Sequence, residues 1–459
     1  YYICDYYVTY TSYAPGNVPT GSCGAPNLLV DSTTSTEVTT HELRISGPIN
    51  DTMSFTAGAF ASDLELKELN LFNYPGSVGN DITYAPNYAL TDISSTGAIN
   101  NGAAGWFSAG PYSEPVIFFN DIKRTDKQKG IFGELSINMS ETSELTVGAR
   151  WYDIEVDFEG SANSSFGNGF GNTDQQKYGS NLSAQYAPGN VNGYPDTAQS
   201  DGVIGKITYA WNPSEDIMYY VTWSEGFRPG LLNRPVGASN AAGTYSVKPE
   251  VKSDEVTNYE FGWKSTLLDG QLRFNGSAFF VDVSGLQTTV FDPSIVNLFF
   301  SDNAADAEIM GLEGDFMYYP DLEGWMISGA FSLLSTELTK SLVPTDDIKV
   351  GSDLAFAPGI QGNLSARKEW PMSSGNNGHY QAQLTWSDDS YSDVMEPNKA
   401  IQDSYSFINM RAGISNDTWM AEVYLDNITD ERAEINNTFV FDRQRVGIIR
   451  PTTLGLRFK

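Results

Sequence analysis

The feature that most constrains this chain is a rhythm. Segments of about ten residues, in which apolar and polar side chains alternate, are joined by connections that are by turns very short and very long. The short joints include Gly47 to Thr52, Ser140 to Ser143, Asn212 to Asp216, Leu268 to Gly270, Pro320 to Glu323 and Asn416 to Asp417. Between them lie long ones, including Asp63 to Gln128, Phe158 to Asp201, Gly226 to Ser253, Leu286 to Asp306 and Asp430 to Gly447. Period-2 alternation sends successive side chains to opposite faces of a strand, so a two-sided pattern in every segment describes a wall between two different media. Asymmetric connections add that the wall has two different ends. Transmembrane β-barrels have both properties, with short periplasmic turns and long external loops.

Facing is sharpest where alternation is strict. Val203, Gly205, Ile207, Tyr209 and Trp211 share one face, and Ile204, Lys206, Thr208 and Ala210 the other. Tyr380, Ala382, Leu384 and Trp386 oppose Gln381, Gln383 and Thr385; Trp419, Ala421, Val423 and Leu425 oppose Met420, Glu422, Tyr424 and Asp426. Lipid outside and a wet lumen inside account for this opposition. Aromatic residues gather at segment ends, as in Trp151-Tyr152, Tyr219-Tyr220, Phe279-Phe280 and Trp370, the level at which amphipathic rings meet headgroups. Counting segments from a ragged one at Tyr1 to Tyr10 through Thr452 to Phe458 gives about sixteen strands, the last ending on the periplasmic side.

Composition narrows the partners. Charged residues make up 18% of the chain and aromatics 13%, and no stretch approaches the length of apolar sequence that a membrane helix needs. The net charge of -30 argues against nucleic acid, which requires a basic footprint, and is read as a property of the loops. With two histidines and two cysteines in the whole chain, histidine catalysis and metal cages lack raw material, and neither a metal site nor a cofactor is expected. Cys4 and Cys23 flank a Gly/Pro/Asn-rich stretch and are a disulfide candidate, the alternative being two separate thiols. Acidic pairs such as Asp388-Asp389 sit in loops and read as solvated, so no enzyme is expected.

Several segments resemble the barrel of TonB-dependent outer-membrane receptors. Tyr219-Tyr220-Val221-Thr222-Trp223-Ser224-Glu225-Gly226-Phe227-Arg228-Pro229-Gly230 is similar to the family's aromatic strand ending in Ser-x-Gly-Phe-(Lys/Arg)-x-Gly. Lys248-Pro249-Glu250 with Asn258-Tyr259-Glu260-Phe261-Gly262-Trp263-Lys264, then Gly311-Leu312-Glu313-Gly314-Asp315, Ala357-Pro358 and Asp426-Asn427-Ile428-Thr429-Asp430, extend the likeness in order. Two positions depart from it: Ala433 stands where the family often has Tyr, and Lys459 follows Phe458 where a terminal aromatic is common.

The resemblance implies an all-β transmembrane antiparallel barrel of 22 strands with an N-terminal plug inside it. Residues 1–459 are therefore expected to be the barrel domain, incomplete at its N-terminal side, with the plug and opening strands upstream. It further implies a receptor in the outer membrane of a Gram-negative bacterium, surrounded by lipid and lipopolysaccharide. Such a receptor takes up a scarce solute, foremost a ferric siderophore or similar iron complex, with energy from the TonB complex acting through the plug. Haem, cobalamin, a nickel chelate and an oligosaccharide stay open as ligands; a passive porin, or a soluble β-fold enzyme or adhesin, are the alternatives. Candidate ligand contacts are Trp106, Phe107 and Tyr112 in the first long loop and Arg228, Asn233 and Arg234 after the Gly-Phe-Arg-Pro-Gly turn; packing against the rim is their other reading. Phe458 is the expected assembly signal.

Overall fold

Alternation becomes strand throughout the part of the chain that the structure covers. A computed structural model describes residues 29–73, 116–164, 197–233, 239–240, 242–290, 300–343, 347–373, 375–440 and 443–459. In chain order the strands are β1 (Leu29–Asn50), β2 (Met53–Asn73), β3 (Val116–Ser140), β4 (Ser143–Ser164), β5 (Thr197–Ser214), β6 (Ile217–Arg228), β7 (Leu231–Leu232) and β8 (Glu250–Val251). They continue with β9 (Asp254–Leu267), β10 (Leu272–Val290), β11 (Phe300–Tyr318), β12 (Trp325–Ser341), β13 (Ile360–Pro371), β14 (Asn377–Ser387), β15 (Ser390–Tyr391) and β16 (Ile401–Gln402). The last five are β17 (Tyr405–Ser415), β18 (Met420–Asp426), β19 (Glu434–Val440), β20 (Arg443–Ile448) and β21 (Thr453–Phe458).

A single 15-stranded antiparallel sheet runs in the order β1-β2-β3-β4-β5-β6-β9-β10-β11-β12-β13-β14-β17-β18-β21. The small pairs β7/β8, β15/β16 and β19/β20 are hairpins set inside long connections. The expected segment at Tyr1 to Tyr10 lies outside the described residues; the remaining segments of the count coincide with the sheet strands one for one. Among the described residues the sheet is an open wall, with β1 and β21 at its edges.

Register carries one apolar face from edge to edge. Leu43 pairs with Ala59, Ala59 with Ile131, Ile131 with Trp151 and Trp151 with Val203. Farther along, Phe261 pairs with Ala278, Ala278 with Leu312, Leu312 with Leu333 and Leu333 with Ile360. At the far edge Met410 meets Leu425 and Leu425 meets Leu454. These side chains are not a core: Leu43 is 78% exposed, Ile131 61% and Val203 66%. A continuous apolar surface of this extent needs an apolar surrounding, which is lipid. The opposite face is polar, and its groups bond one another: Thr208 with Thr222 at 2.9 Å, Tyr220 Oη to Glu260 Oε1 at 2.5 Å, and Gln381 Nε2 to Ser365 Oγ at 2.9 Å.

Glycines lie beneath aromatic rings on neighbouring strands. A Cβ at Gly262 would stand 2.1 Å from the Tyr220 ring, and one at Gly276 would stand 2.4 Å from the Trp263 ring. Only glycine lets the rings lie flat on the adjacent backbone, a cross-strand device that also pins register.

Strand length exceeds what a bilayer asks. A membrane strand needs roughly 9–11 residues, whereas β3 has 25 and β1 and β4 have 22 each. The excess lies at the long-connection end, so this part of the wall stands well above the membrane.

Candidate ligand-binding site

At the long-connection end, the described parts of the loops pack against the inner face. Pairing of β5 with β6 stops at Lys206 and Ser224, while β6 and β9 stay paired to Arg228 and Asp254. The end of β6 thus peels away from β5 and turns inward. Phe227 stacks on Tyr152 with ring centroids 3.7 Å apart. Leu232 completes a buried cluster with Ile122, Tyr152, Ile154, Val156, Phe158 and Ala198, and Ile204 and Phe227 pack against it. Gly230 N and Ser253 Oγ donate to Ser200 Oγ at 2.9 and 2.8 Å, pinning the loop to β5.

Arg228 sits at the base of this turn. Its backbone N–H and Nε donate to Asp254 Oδ1 and Oδ2 at 2.8 and 2.6 Å, Nη2 adds an ion pair to the same carboxylate, and Nη2 donates to Gln287 O at 3.0 Å. The Asp254 side chain is 1% exposed and that of Arg228 54%, so a buried carboxylate orients a cation whose outer half faces solvent. Gln287 Nε2 donates to Pro229 O and Lys252 O, both at 2.9 Å, joining β10 to the same knot.

A second buried acid, Asp302, accepts from Tyr245 Oη at 2.6 Å, Lys248 Nζ at 3.4 Å and Asn303 N at 2.8 Å. Asn233 is 3% exposed, and its amide is spent on backbone: Nδ2 donates to Lys248 O and Ser301 O, and Oδ1 accepts from Ser301 N. It ties the connection between β6 and β9 to β11.

A further core joins three connections. Val247, Val283, Val290, Phe300, Leu338, Ile348, Val394 and Met395 are buried together. Above it Glu396 Oε2 accepts from Lys349 Nζ at 3.0 Å and Oε1 from Lys399 Nζ at 2.5 Å. These lysines, Lys399 first, hold the Glu396 carboxyl below its ordinary range. Burial pushes neighbouring Asp393 upward, against the pull of the backbone N–H groups that it accepts.

The described part of the site therefore contains Arg228 as a half-exposed cation on an apolar and polar inner wall. Trp106, Phe107, Tyr112 and Arg234, and the disulfide candidates Cys4 and Cys23, lie outside the described residues. Among the described residues no group of three or more His, Cys, Asp or Glu converges as metal ligands. Phe458 is 76% exposed at the short-turn end and pairs with Ala421. The buried anchors Asp254 and Asp302 and the half-buried Gln287 lie outside the sequence expectation; their one sequence signal is a polar residue within or opening a strand.

The family motif Asp426-Asn427-Ile428-Thr429-Asp430 also finds its reason. Asn427 has φ 50°, a left-handed conformation that Asn tolerates better than most residues. Its Nδ2 donates to Glu431 O and Arg450 O, both at 2.9 Å, and Oδ1 accepts from Glu431 N at 2.9 Å. One buried amide thus closes the base of the β18–β21 connection.

A family model for the TonB dependent receptor-like β-barrel matches residues 5–428. Among solved structures, the chain is similar to the ferric yersiniabactin uptake receptor FyuA from Yersinia pestis, with a TM-score of 0.67 and 14% identity over 95% of this chain and 56% of that one. It is similar to the siderophore receptor PiuA from Acinetobacter baumannii, with a TM-score of 0.61 and 18% identity over 93% and 56%. The ferric citrate transporter FecA gives a TM-score of 0.61 and 12% identity over 96% and 57%. The chain therefore spans little more than half the length of these proteins.

Proposed function

Because the chain belongs to the TonB-dependent receptor β-barrel family of the Gram-negative outer membrane, we propose that it forms most of the wall of a receptor for a scarce solute, most readily a ferric siderophore or a similar iron complex. The ligand is bound beneath the inward-folded loops at the long-connection end. Release into the periplasm is driven by TonB acting through a plug. Lipid and lipopolysaccharide surround the wall. The observation that carries this reading is the crown itself: described parts of the connections after β6, β12 and β14 pack together with the ends of β10 and β11, and Arg228 keeps half its side chain toward solvent. An aromatic and apolar concavity with a few fixed polar groups is the usual form of a small-molecule site.

The iron chelate is favoured because FyuA, PiuA and FecA are iron-complex or siderophore receptors by description. A passive porin has no comparable support, and the family and the similar structures are receptors and transporters rather than enzymes.

The test is a binding titration of the full-length protein with a panel of ferric hydroxamate, catecholate and carboxylate chelates, haem and cobalamin, read by tryptophan fluorescence. The expected result is saturable binding of one ferric chelate, weakened about tenfold by Arg228→Ala and restored in part by Arg228→Lys. Binding of cobalamin alone overturns the iron assignment; an affinity unchanged in Arg228→Ala removes Arg228 from the site.

A further inference from the structure

Below the inward-folded loops, the inner face of β1–β5 alternates large side chains with glycines. One cross-strand row reads Arg44, Gly58, Phe132, Arg150 and Ile204; the next row up reads Glu42, Phe60, Gly130, Tyr152 and Gly202. The glycines let the larger groups lie across neighbouring strands. A Cβ at Gly58 would stand 2.5 Å from the Phe132 ring, and one at Gly130 would stand 3.3 Å from Arg150 Nε. Arg44 thus lies over the Phe132 ring, 5.6 Å from its centroid, and Arg150 over the Phe60 ring, at 5.7 Å.

Arg150 stands apart among the cations of this face. Arg44 pairs with Glu42 at 2.7 Å, Arg124 with Asp126 at 2.7 Å, and Lys206 with Glu134, the carboxylate diagonal to Arg150, at 3.7 Å. The other inward acids of β1–β5, Glu68 and Glu144, lie about 34 Å above Arg150 and about 20 Å below it along the strands. Among the described residues the half-buried Arg150 makes no ion pair and no hydrogen bond. Its Nε is buried with no acceptor, so the fork meets the lumen through its Nη groups. Packing on Phe60 and Gly130 holds the guanidinium in place, which leaves its charge for a partner outside the wall. One inward position above it, about 7 Å along β4, is Tyr152, the ring on which Phe227 stacks. Arg150 and Arg228 therefore both border the Tyr152–Phe227 stack.

We propose that Arg150 is a ligand contact, and that the chelate it receives is anionic, with catecholate or carboxylate oxygens around the iron rather than neutral hydroxamates. The Nη groups donate to an ionised oxygen of the chelate, and the Phe60 and Tyr152 rings offer it an apolar surface. The inference rests on the receptor reading given above and adds to it the sign of the ligand's charge and a residue that reads it.

The experiment titrates full-length protein with ferric enterobactin, a trianionic tricatecholate, with ferric citrate, and with ferrichrome, a neutral trihydroxamate, at low and high salt. An anionic chelate should bind more tightly than ferrichrome and lose affinity as salt rises. Arg150→Gln should weaken that binding about tenfold and Arg150→Lys less, with Lys129→Gln on the outward face as an unaffected control. Heat-modifiable mobility identifies the variants that fold; if Arg150→Gln does not, the order of the wild-type affinities and their salt dependence decide. Unchanged affinity in folded Arg150→Gln overturns the proposal, and faster hydrogen exchange in lumen polypeptide would then identify a carboxylate of the protein as the partner. Tightest binding of ferrichrome overturns it too. Wild-type protein that binds no ferric chelate of the wider panel overturns the iron reading itself and this inference with it, a result distinct from a chelate bound equally by wild type and variant.

Discussion

A single buried carboxylate shapes the base of the proposed site. Asp254 receives the backbone and guanidinium of Arg228 together, so removing it strands several donors at once. Asp254→Ala should cost about 3 kcal/mol locally, seen as faster hydrogen exchange across residues 229–253 of the full-length receptor; exchange like the wild type would contradict the role given to Asp254. The glycines under aromatic rings make a second claim at this scale. Gly262→Ala should lower stability by about 2 kcal/mol through its clash with the Tyr220 ring. The same substitution in a Tyr220→Ala background should cost much less, a coupling that a denaturant series on the folded barrel would measure.

Among the elements, the loops of the crown behave as packed structure rather than tethers. Lys349, Glu396 and Lys399 link the β12–β13 and β14–β17 connections, and the sign of their pH dependence follows from which form is held. Glu396 is held ionised, so its contribution is present above the ordinary value of 4.5 and is lost as pH falls through the lowered one. Asp393 runs the other way: burial favours its neutral form, so its contribution is present below the ordinary value of 3.8 and is lost as pH rises through the raised one. At neutral pH, Glu396→Gln should therefore loosen residues 388–404 and Asp393→Asn should tighten them, by exchange rates corrected for intrinsic chemistry. The effect of Glu396→Gln should fade as pH falls through the lowered Glu396 value.

The strands themselves were legible in the sequence because lipid on one face and water on the other enforce alternation; Val203 to Trp211 needs no tertiary information to be placed. Their upper reaches were less so, since above Leu43 and Ile131 the outward positions of β1–β4 meet water and turn to Glu, Lys, Thr and Asp, while the apolar residues pass to the inner face, as Tyr152, Ile154, Val156 and Phe158 do on β4. The hairpins within the connections escaped for a related reason: β7, β8, β15 and β16 are two residues each, too short for any period. Arg228 was placed correctly at a loop end, but its partner Asp254 and the closing role of Asn233 depend on contacts between distant segments.

At the scale of the molecule, the described residues form an antiparallel wall of 15 strands that carries lipid-facing apolar residues from β1 to β21, with packed loop segments at one end. The half-exposed Arg228 stands at the loop end of β6, on the side of the wall given to the proposed ligand. The central claim is that this wall serves energised uptake of an iron complex. It is tested most directly by radio-iron accumulation from the chelate that binds, in cells producing the full-length receptor with and without functional TonB. The account predicts accumulation only when TonB is functional. Equal accumulation in both strains would contradict it and return the wall to a passive pore.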